Sequence, residues 1–208
     1  MKIAIFDMDG TLLDSAKDIT LSVNATRKHN HGLAPLDEAF VIDAINKEHR
    51  NLAELFYGTK KYEKKDQFYF EDHYNEQCVQ HVYLYEEIHE TLLALRDERV
   101  RLSVATNAPS QFARRMLDKC GVYEYFDFVI GADRVKNAKP DKEMLEHILK
   151  GYSTNASTAK AIMIGDNVKD MQAAQHAGIN GLFATWGFSP DAKHHTCIDR
   201  PKEILKHF

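Results

Sequence analysis

Cysteine is scarce, and where it occurs it follows no pattern. The three cysteines, Cys78, Cys120 and Cys197, lie far apart, and none stands in a CxxC or in a Cys/His pair of zinc-type spacing. This argues against a disulfide framework or a zinc knot, and the thiols read as reduced packing or surface groups. No stretch approaches the run of about 18 apolar residues that a membrane span needs. The chain opens on a strand rather than on the charged and apolar regions of a secretion signal, so a cytoplasmic location is expected. Charge of one sign is not in excess either. Lys and Arg number 27 against 31 Asp and Glu, a formal charge of −4, which leaves no basic field to hold nucleic acid or an anionic membrane. The expected partner is therefore a small molecule, with a monomer or a homodimer left open. Repeats and low-complexity tracts are absent. What remains is an ordinary globular composition, and 208 residues suffice for one domain carrying a smaller insert.

The chain is organised around its first fifteen residues. Lys2-Ile3-Ala4-Ile5-Phe6 is an apolar run, and Asp7-Met8-Asp9-Gly10-Thr11 follows it, so a buried strand delivers two carboxylates into a glycine-containing turn. In an open α/β sheet the carboxyl ends of the strands line the ligand crevice. Two carboxylates about 4 Å apart repel by roughly 4 kcal/mol at an effective dielectric near 20. A cation between them, or a proton on one, relieves that repulsion. Both outcomes serve phosphoryl chemistry, which needs a metal at the phosphate oxygens and can use a carboxylate as nucleophile. A solvated acidic turn is the plain alternative for an isolated D-x-D.

Periodicity places helices over most of residues 16–85. Ile19, Val23 and Thr26 share one helical face, Phe40, Val41, Ala44 and Ile45 a second, and Leu52, Leu55 and Phe56 a third. A further helix is expected from Tyr62 to about Tyr83, with Phe68, Tyr69, Phe70, Tyr74 and Tyr83 building the core of this segment. Beyond it the pattern alternates. Strands are expected at Arg101–Ala105, Phe126–Ile130, Lys160–Ile164 and Gly181–Ala184, and helices between them, including Asp141–Lys150 and Lys169–His176. That alternation predicts a doubly wound parallel sheet, with residues 1–15 and 86–208 forming the α/β body and 16–85 a helical domain inserted after the first strand.

Polar groups recur at the strand ends: Asp7 and Asp9, Thr106 and Asn107, Asp166 and Asp170, with Lys139 in a loop between them. A phosphoryl-transfer site uses such a set: an attacking carboxylate, a neighbouring acid or base, a hydroxyl and backbone N–H groups for the phosphoryl oxygens, and a lysine and a metal to absorb charge. Magnesium suits these oxygen ligands. Asp7 and Asp166 are the expected direct ligands. Asp170, one helical turn on, is placed to hold a metal-bound water or to orient Lys139.

Asp7-Met8-Asp9-Gly10-Thr11, Val104-Ala105-Thr106-Asn107, Lys139-Pro140 and Gly165-Asp166-Asn167-Val168-Lys169-Asp170 resemble, in chain order, the four motifs of the haloacid dehalogenase-like hydrolase superfamily. The inserted helical segment is similar to the small cap of the subfamily that includes phosphoglycolate phosphatase. The resemblance implies a Rossmann-like core with a helical cap and a magnesium-dependent phosphatase acting on a small phosphorylated metabolite, phosphoglycolate-like or a sugar phosphate. It implies that Asp7 is the nucleophile that becomes an aspartyl-phosphate and also a metal ligand. Asp9 would be acid and then base, with its carbonyl on the metal. Thr106 and the Asn107 N–H would bind the phosphoryl group, with Lys139 stabilising its charge and Asp166 and Asp170 completing the metal site. Members that cleave carbon–halogen bonds usually lack the second acid, so Asp9 argues for phosphate. Ala184-Thr185-Trp186-Gly187-Phe188 is similar to a segment of the phosphoglycolate phosphatase-like members.

Two features depart from the family pattern. Glu86-Glu87 stand where many members carry Pro-Gly as the cap rejoins the body, and Asn46-Lys47-Glu48-His49-Arg50 stand where many have a Gly-rich cap loop. Lys47, His49 and Arg50 are candidate contacts to an anionic leaving group, against the plainer reading of a solvated helix end. The alternatives to a phosphatase are a phosphomutase of the beta-phosphoglucomutase type and a non-catalytic binding or regulatory protein on the same fold.

Overall fold

A computed structural model describes residues 1–47, 51–189 and 195–208. In chain order, strand β1 (Lys2–Phe6) is followed by the short β2 (Leu13–Asp14), by helices α1 (Ala16–His31), α2 (Glu38–Asn46), α3 (Leu52–Tyr57) and α4 (Lys64–Gln77), and by the short β3 (Tyr83–Leu84). Then come α5 (Ile88–Asp97), β4 (Arg101–Ala105), α6 (Ser110–Lys119), β5 (Phe128–Ile130), α7 (Glu143–Gly151), β6 (Lys160–Gly165), α8 (Val168–Ala177), β7 (Asn180–Ala184), β8 (Cys197–Ile198) and a 3-10 segment at Pro201–His207. The chain divides into two compact units, Met1–Asp14 with Tyr83–Phe208, and Ser15–Val82. Among the described residues no helix is long and apolar enough to cross a membrane.

In the first unit the strands pair in the order β5-β4-β1-β6-β7-β8, all parallel. Strand β1 lies inside the sheet, with Phe6 opposite Val104 of β4 on one side and Ile164 of β6 on the other. A parallel strand covered on both faces needs an unbroken apolar run, and Ile3 to Phe6 supply one, each fully buried. One face of the sheet packs Ile3, Ile5 and Met163 against Met144, Leu145 and Ile148 of α7 and Ala173 and Ala174 of α8. The chain winds from β1 to β4 and β5, then returns to β6 on the far side of β1. This reversal puts the crevice of the doubly wound sheet at the carboxyl end of β1.

The second unit is helical around Val23, Val41, Ala44, Phe56 and Tyr57. The long final helix expected there is shorter. Helix α4 stops at Gln77 although no glycine or proline follows, because the buried Asp18 captures the chain. Its carboxylate accepts from the Gln77 side chain at 2.8 Å and from the His81 backbone N–H at 2.9 Å. Tyr83–Leu84 then pairs antiparallel with Leu13–Asp14 as a small ribbon in the first unit, a pairing that a two-residue strand does not announce in sequence. The aromatic run also sorts differently from expectation. Tyr74 is buried and Phe70 packs on the unit's core, whereas Phe68 is 75% exposed and Tyr83 57%. Positions 70 and 74 share a helical face, and position 68 is two residues out of phase. Elsewhere β5 begins at Phe128, and α7 begins at Glu143 because the Asp141 carboxylate stays outside and accepts the Glu143 N–H at 2.9 Å.

Asp18 is completely buried and also meets the His81 ring at 2.7 Å, so its loss strands several polar groups. Asp18→Ala is expected to lower stability by about 2–3 kcal/mol, read from urea unfolding followed by circular dichroism. An unchanged midpoint would contradict the role given to this carboxylate.

Candidate active site

The ladder continues one residue beyond β1, where the Asp7 N–H donates to the Ile164 carbonyl at 2.8 Å. The chain then turns sharply, with the Leu12 and Leu13 N–H groups both donating to the Met8 carbonyl. Gly10, at φ 84°, makes that turn against the Asp166 carboxylate, which any side chain there would strike. Asp9 is half-buried in this turn and bridges to Leu13.

Two further strand ends and the loop that carries Lys139 meet at this point. Strand β6 ends in Gly165 and leads into the buried Asp166, whose Oδ1 accepts the Thr11 hydroxyl at 3.0 Å and whose Oδ2 accepts the Phe188 N–H at 2.7 Å. Asn167 caps α8, and Asp170 returns the capping bond by accepting the Asn167 N–H at 3.1 Å. Thr106, past the end of β4, is buried and its hydroxyl oxygen accepts the Ala108 N–H at 3.1 Å. The Asn107 side chain latches the loop that carries Lys139, donating to the Lys139 carbonyl at 2.9 Å and accepting its N–H at 3.0 Å.

Lys139 is the pivot of the arrangement. Its buried Nζ lies 2.7 Å from Asp7 Oδ1 and 2.6 Å from Asp170 Oδ1. Burial works against the ammonium, but the charges of Asp170 and Asp7 outweigh it and raise its pKa. The acids respond in the opposite sense. Burial, and then the charges of Asp7 and Asp170, push Asp166 up to about 8. Burial also raises Asp170, and with Lys139 pulling it back it stands at about 6. Three carboxylates around one ammonium are short of positive charge. Asp7, Asp166 and Asp170 each offer an oxygen within 4.8 Å of the others. Hard oxygen donors of this kind fit a magnesium-type cation; Asp170 differs from Asp166 in that one of its oxygens is held by the Lys139 ammonium, the other accepting the Asn167 N–H.

The structure thus brings together Asp7, Lys139, Asp166 and Asp170, with Asp9, Thr106 and Asn107 in the turns at the carboxyl edge of the same sheet. Lys47 belongs to the helical unit, where it pairs with Asp43 at 2.6 Å. His49 and Arg50 lie outside the described residues. Sequence reasoning missed the Thr11 hydroxyl, the Asn107 side-chain latch and the Phe188 N–H. Thr11 carried a usable signal, a hydroxyl directly after the Asp-Gly turn. The other two are contacts that only the folded loops create.

Fold and site together define a doubly wound α/β enzyme with an acidic, lysine-bearing centre at its switch point. The family model for haloacid dehalogenase-like hydrolases matches residues 4–184, and the chain belongs to that family. Among its members the chain groups with phosphatases. It is 32% identical to a phosphoglycolate phosphatase of Aquifex aeolicus, over 99% of this chain and 96% of that one. It is 29% identical to an N-acetylmuramic acid 6-phosphate phosphatase of Pseudomonas aeruginosa, over 99% and 93%. A crystal structure of a predicted phosphoglycolate phosphatase from Haemophilus somnus shares the fold with a TM-score of 0.85 at 24% identity, covering 99% of this chain and 97% of that one.

The raised carboxyl pKa values carry a sign. A carboxylic acid favoured in its neutral form by the fold stabilises the protein fully below the ordinary value of 3.8, and this contribution is lost as pH rises through about 8. In chelator, the wild type is therefore expected to lose stability from pH 5 to pH 8 relative to Asp166→Asn, which has no charge to bury. Urea midpoints that move in parallel for the two proteins would refute this.

Proposed function

We propose that the chain is a magnesium-dependent phosphomonoesterase that works through an aspartyl-phosphate. The observation that carries this reading is the buried Lys139 ammonium held on Asp7 and Asp170 beside the buried Asp166. Such a centre binds a phosphoryl dianion only when the carboxylate charge is offset. Asp7 and Asp166 are the residues that would hold magnesium, and the ion would neutralise charge on the phosphoryl oxygens.

The chain's own groups supply the steps. A carboxylate oxygen of Asp7 attacks phosphorus, and the bond to the ester oxygen breaks as Asp9 delivers a proton to it. The alcohol departs. Water then attacks the phosphorus of the acyl phosphate, Asp9 takes its proton, and Asp7 is released as a carboxylate with inorganic phosphate. Lys139 holds Asp7 in the attacking rotamer and faces the transferring group, while Thr106 and the Asn107 N–H bind its oxygens. The helical unit Ser15–Val82 serves as the cap that selects the leaving group, with Lys47, His49 and Arg50 as its contacts to an anionic one.

The substrate is proposed to be a small phosphate ester. Phosphoglycolate and N-acetylmuramic acid 6-phosphate, named for the relatives, are both phosphate esters of carboxylic acids and head the panel of compounds to test, followed by sugar phosphates. Phosphate release is expected with magnesium and none with chelator. Asp7→Asn is expected to lose turnover on the order of a thousand-fold or more while its circular dichroism spectrum is kept. Asp9→Asn is expected to slow turnover by about 100- to 10,000-fold. Full activity in Asp7→Asn, or isomerised sugar phosphate without released phosphate, would overturn the assignment.

A further inference from the structure

Three consecutive residues after β7 bear on Asp166, two of them directly and one through Thr11. The Phe188 N–H donates to Asp166 Oδ2 at 2.7 Å. Gly187 passes so close that a Cβ there would run into the Asp166 side chain and the Gly10 carbonyl. The Trp186 indole N–H donates to the Thr11 carbonyl at 3.0 Å, and the Thr11 hydroxyl donates in turn to Asp166 Oδ1 at 3.0 Å. Thr11 is fully buried, and Trp186 is the only tryptophan of the chain.

The indole N–H of the half-buried Trp186 calls for an acceptor, and many carbonyls would serve. The one it uses belongs to the residue whose hydroxyl holds Asp166. Fixing both oxygens of a carboxylate from behind leaves their other lone pairs aimed in one direction, which is how groups beyond the direct ligands tune a metal site.

We propose that Trp186 is a positioning residue of the cation site, setting through Thr11 the rotamer in which Asp166 presents its carboxylate. The inference rests on the reading that Asp7 and Asp166 hold a divalent cation, and it goes beyond that reading in giving the turn after β7 a share in cation affinity. A merely structural tryptophan would affect stability and leave affinity alone.

The test is calorimetric titration of the 208-residue chain with magnesium chloride, using wild type, Trp186→Phe, Thr11→Val and Thr11→Ser, each first shown to be folded by circular dichroism. Trp186→Phe keeps an aromatic side chain, smaller than indole, but lacks the N–H, and its Kd for magnesium is expected to rise roughly ten-fold. Thr11→Val should weaken binding at least as much, and Thr11→Ser, which keeps the hydroxyl, should restore it. Tryptophan emission of the wild type is expected to change on magnesium addition and to revert with chelator. A wild-type Kd in folded Trp186→Phe would overturn the inference while leaving the cation reading intact. No magnesium binding by the wild type would overturn the cation reading itself, and the inference with it. Should Trp186→Phe fail to fold, the Thr11 pair and the wild-type emission decide: a Thr11→Val Kd equal to that of wild type with a silent tryptophan rejects the role.

Discussion

A lysine ammonium sealed from water is the constraint on which the rest of this protein depends. Left alone, the Lys139 charge would be expensive to bury. It is tolerated because Asp7 and Asp170 stand within 2.7 Å of it. Each partner has a second structural obligation. Asp7 closes the ladder between β1 and β6, and Asp170 completes the cap of α8. The loop that brings the lysine in is latched at both backbone polar groups by Asn107. Strand pairing, helix start and loop position are thus tied to one charge. The balance is still incomplete, because the buried Asp166 adds a third carboxylate to a single cation. Burial raises Asp166 and Asp170 first, the neighbouring carboxylate charge adding to it, and hard oxygen donors so grouped suit a divalent ion.

Much of this was legible beforehand. The apolar run Ile3–Phe6 is short and ends in an Asp-Gly turn, which favours a doubly covered strand, and the alternation that follows residue 100 has one common architecture, so the parallel sheet was readable from period and punctuation. The acids at strand ends were readable because a doubly wound sheet sends its strand ends to one edge. Other features were not legible because they are tertiary. Nothing local in Gln77-Cys78 ends a helix; Asp18, far away in sequence, does so by capturing His81. Phe68 and Phe70 look alike as residues, and only the phase of α4 separates the exposed ring from the packed one. Asn107 was read for its backbone N–H, whereas its side chain does the latching, since an amide that bonds a backbone 32 residues on leaves no periodic trace.

The division of labour follows from the same geometry. Asp7, Thr106, Lys139 and Asp166 lie at the carboxyl edge of the sheet, where positions are fixed by strand register. A feature of the first unit that departs from the family pattern lies outside it. This is Glu87, whose φ of 65° is one that glycine accepts more readily. Its carboxylate is gripped by Arg200, and by Lys202 at 3.3 Å. A left-handed glutamate held by two cations is stiffer than a glycine would be, and it starts α5 just after the chain has returned to the first unit.

The central position of β1 also fixes an order of events during synthesis. Its strand neighbours lie about a hundred and about 160 residues downstream, at Arg101–Ala105 and Lys160–Gly165. Asp7 meets its lysine 132 residues later, and Thr11 meets Asp166 after 155. On a ribosome the acids of the first turn therefore emerge early and wait, hydrated and apart from the other half of the site, until β6 has been made. Contacts of such long range are entropically costly to close and form late. A growing chain has no assembled cluster of carboxylates and lysine, and the cluster arrives with the closing of the sheet.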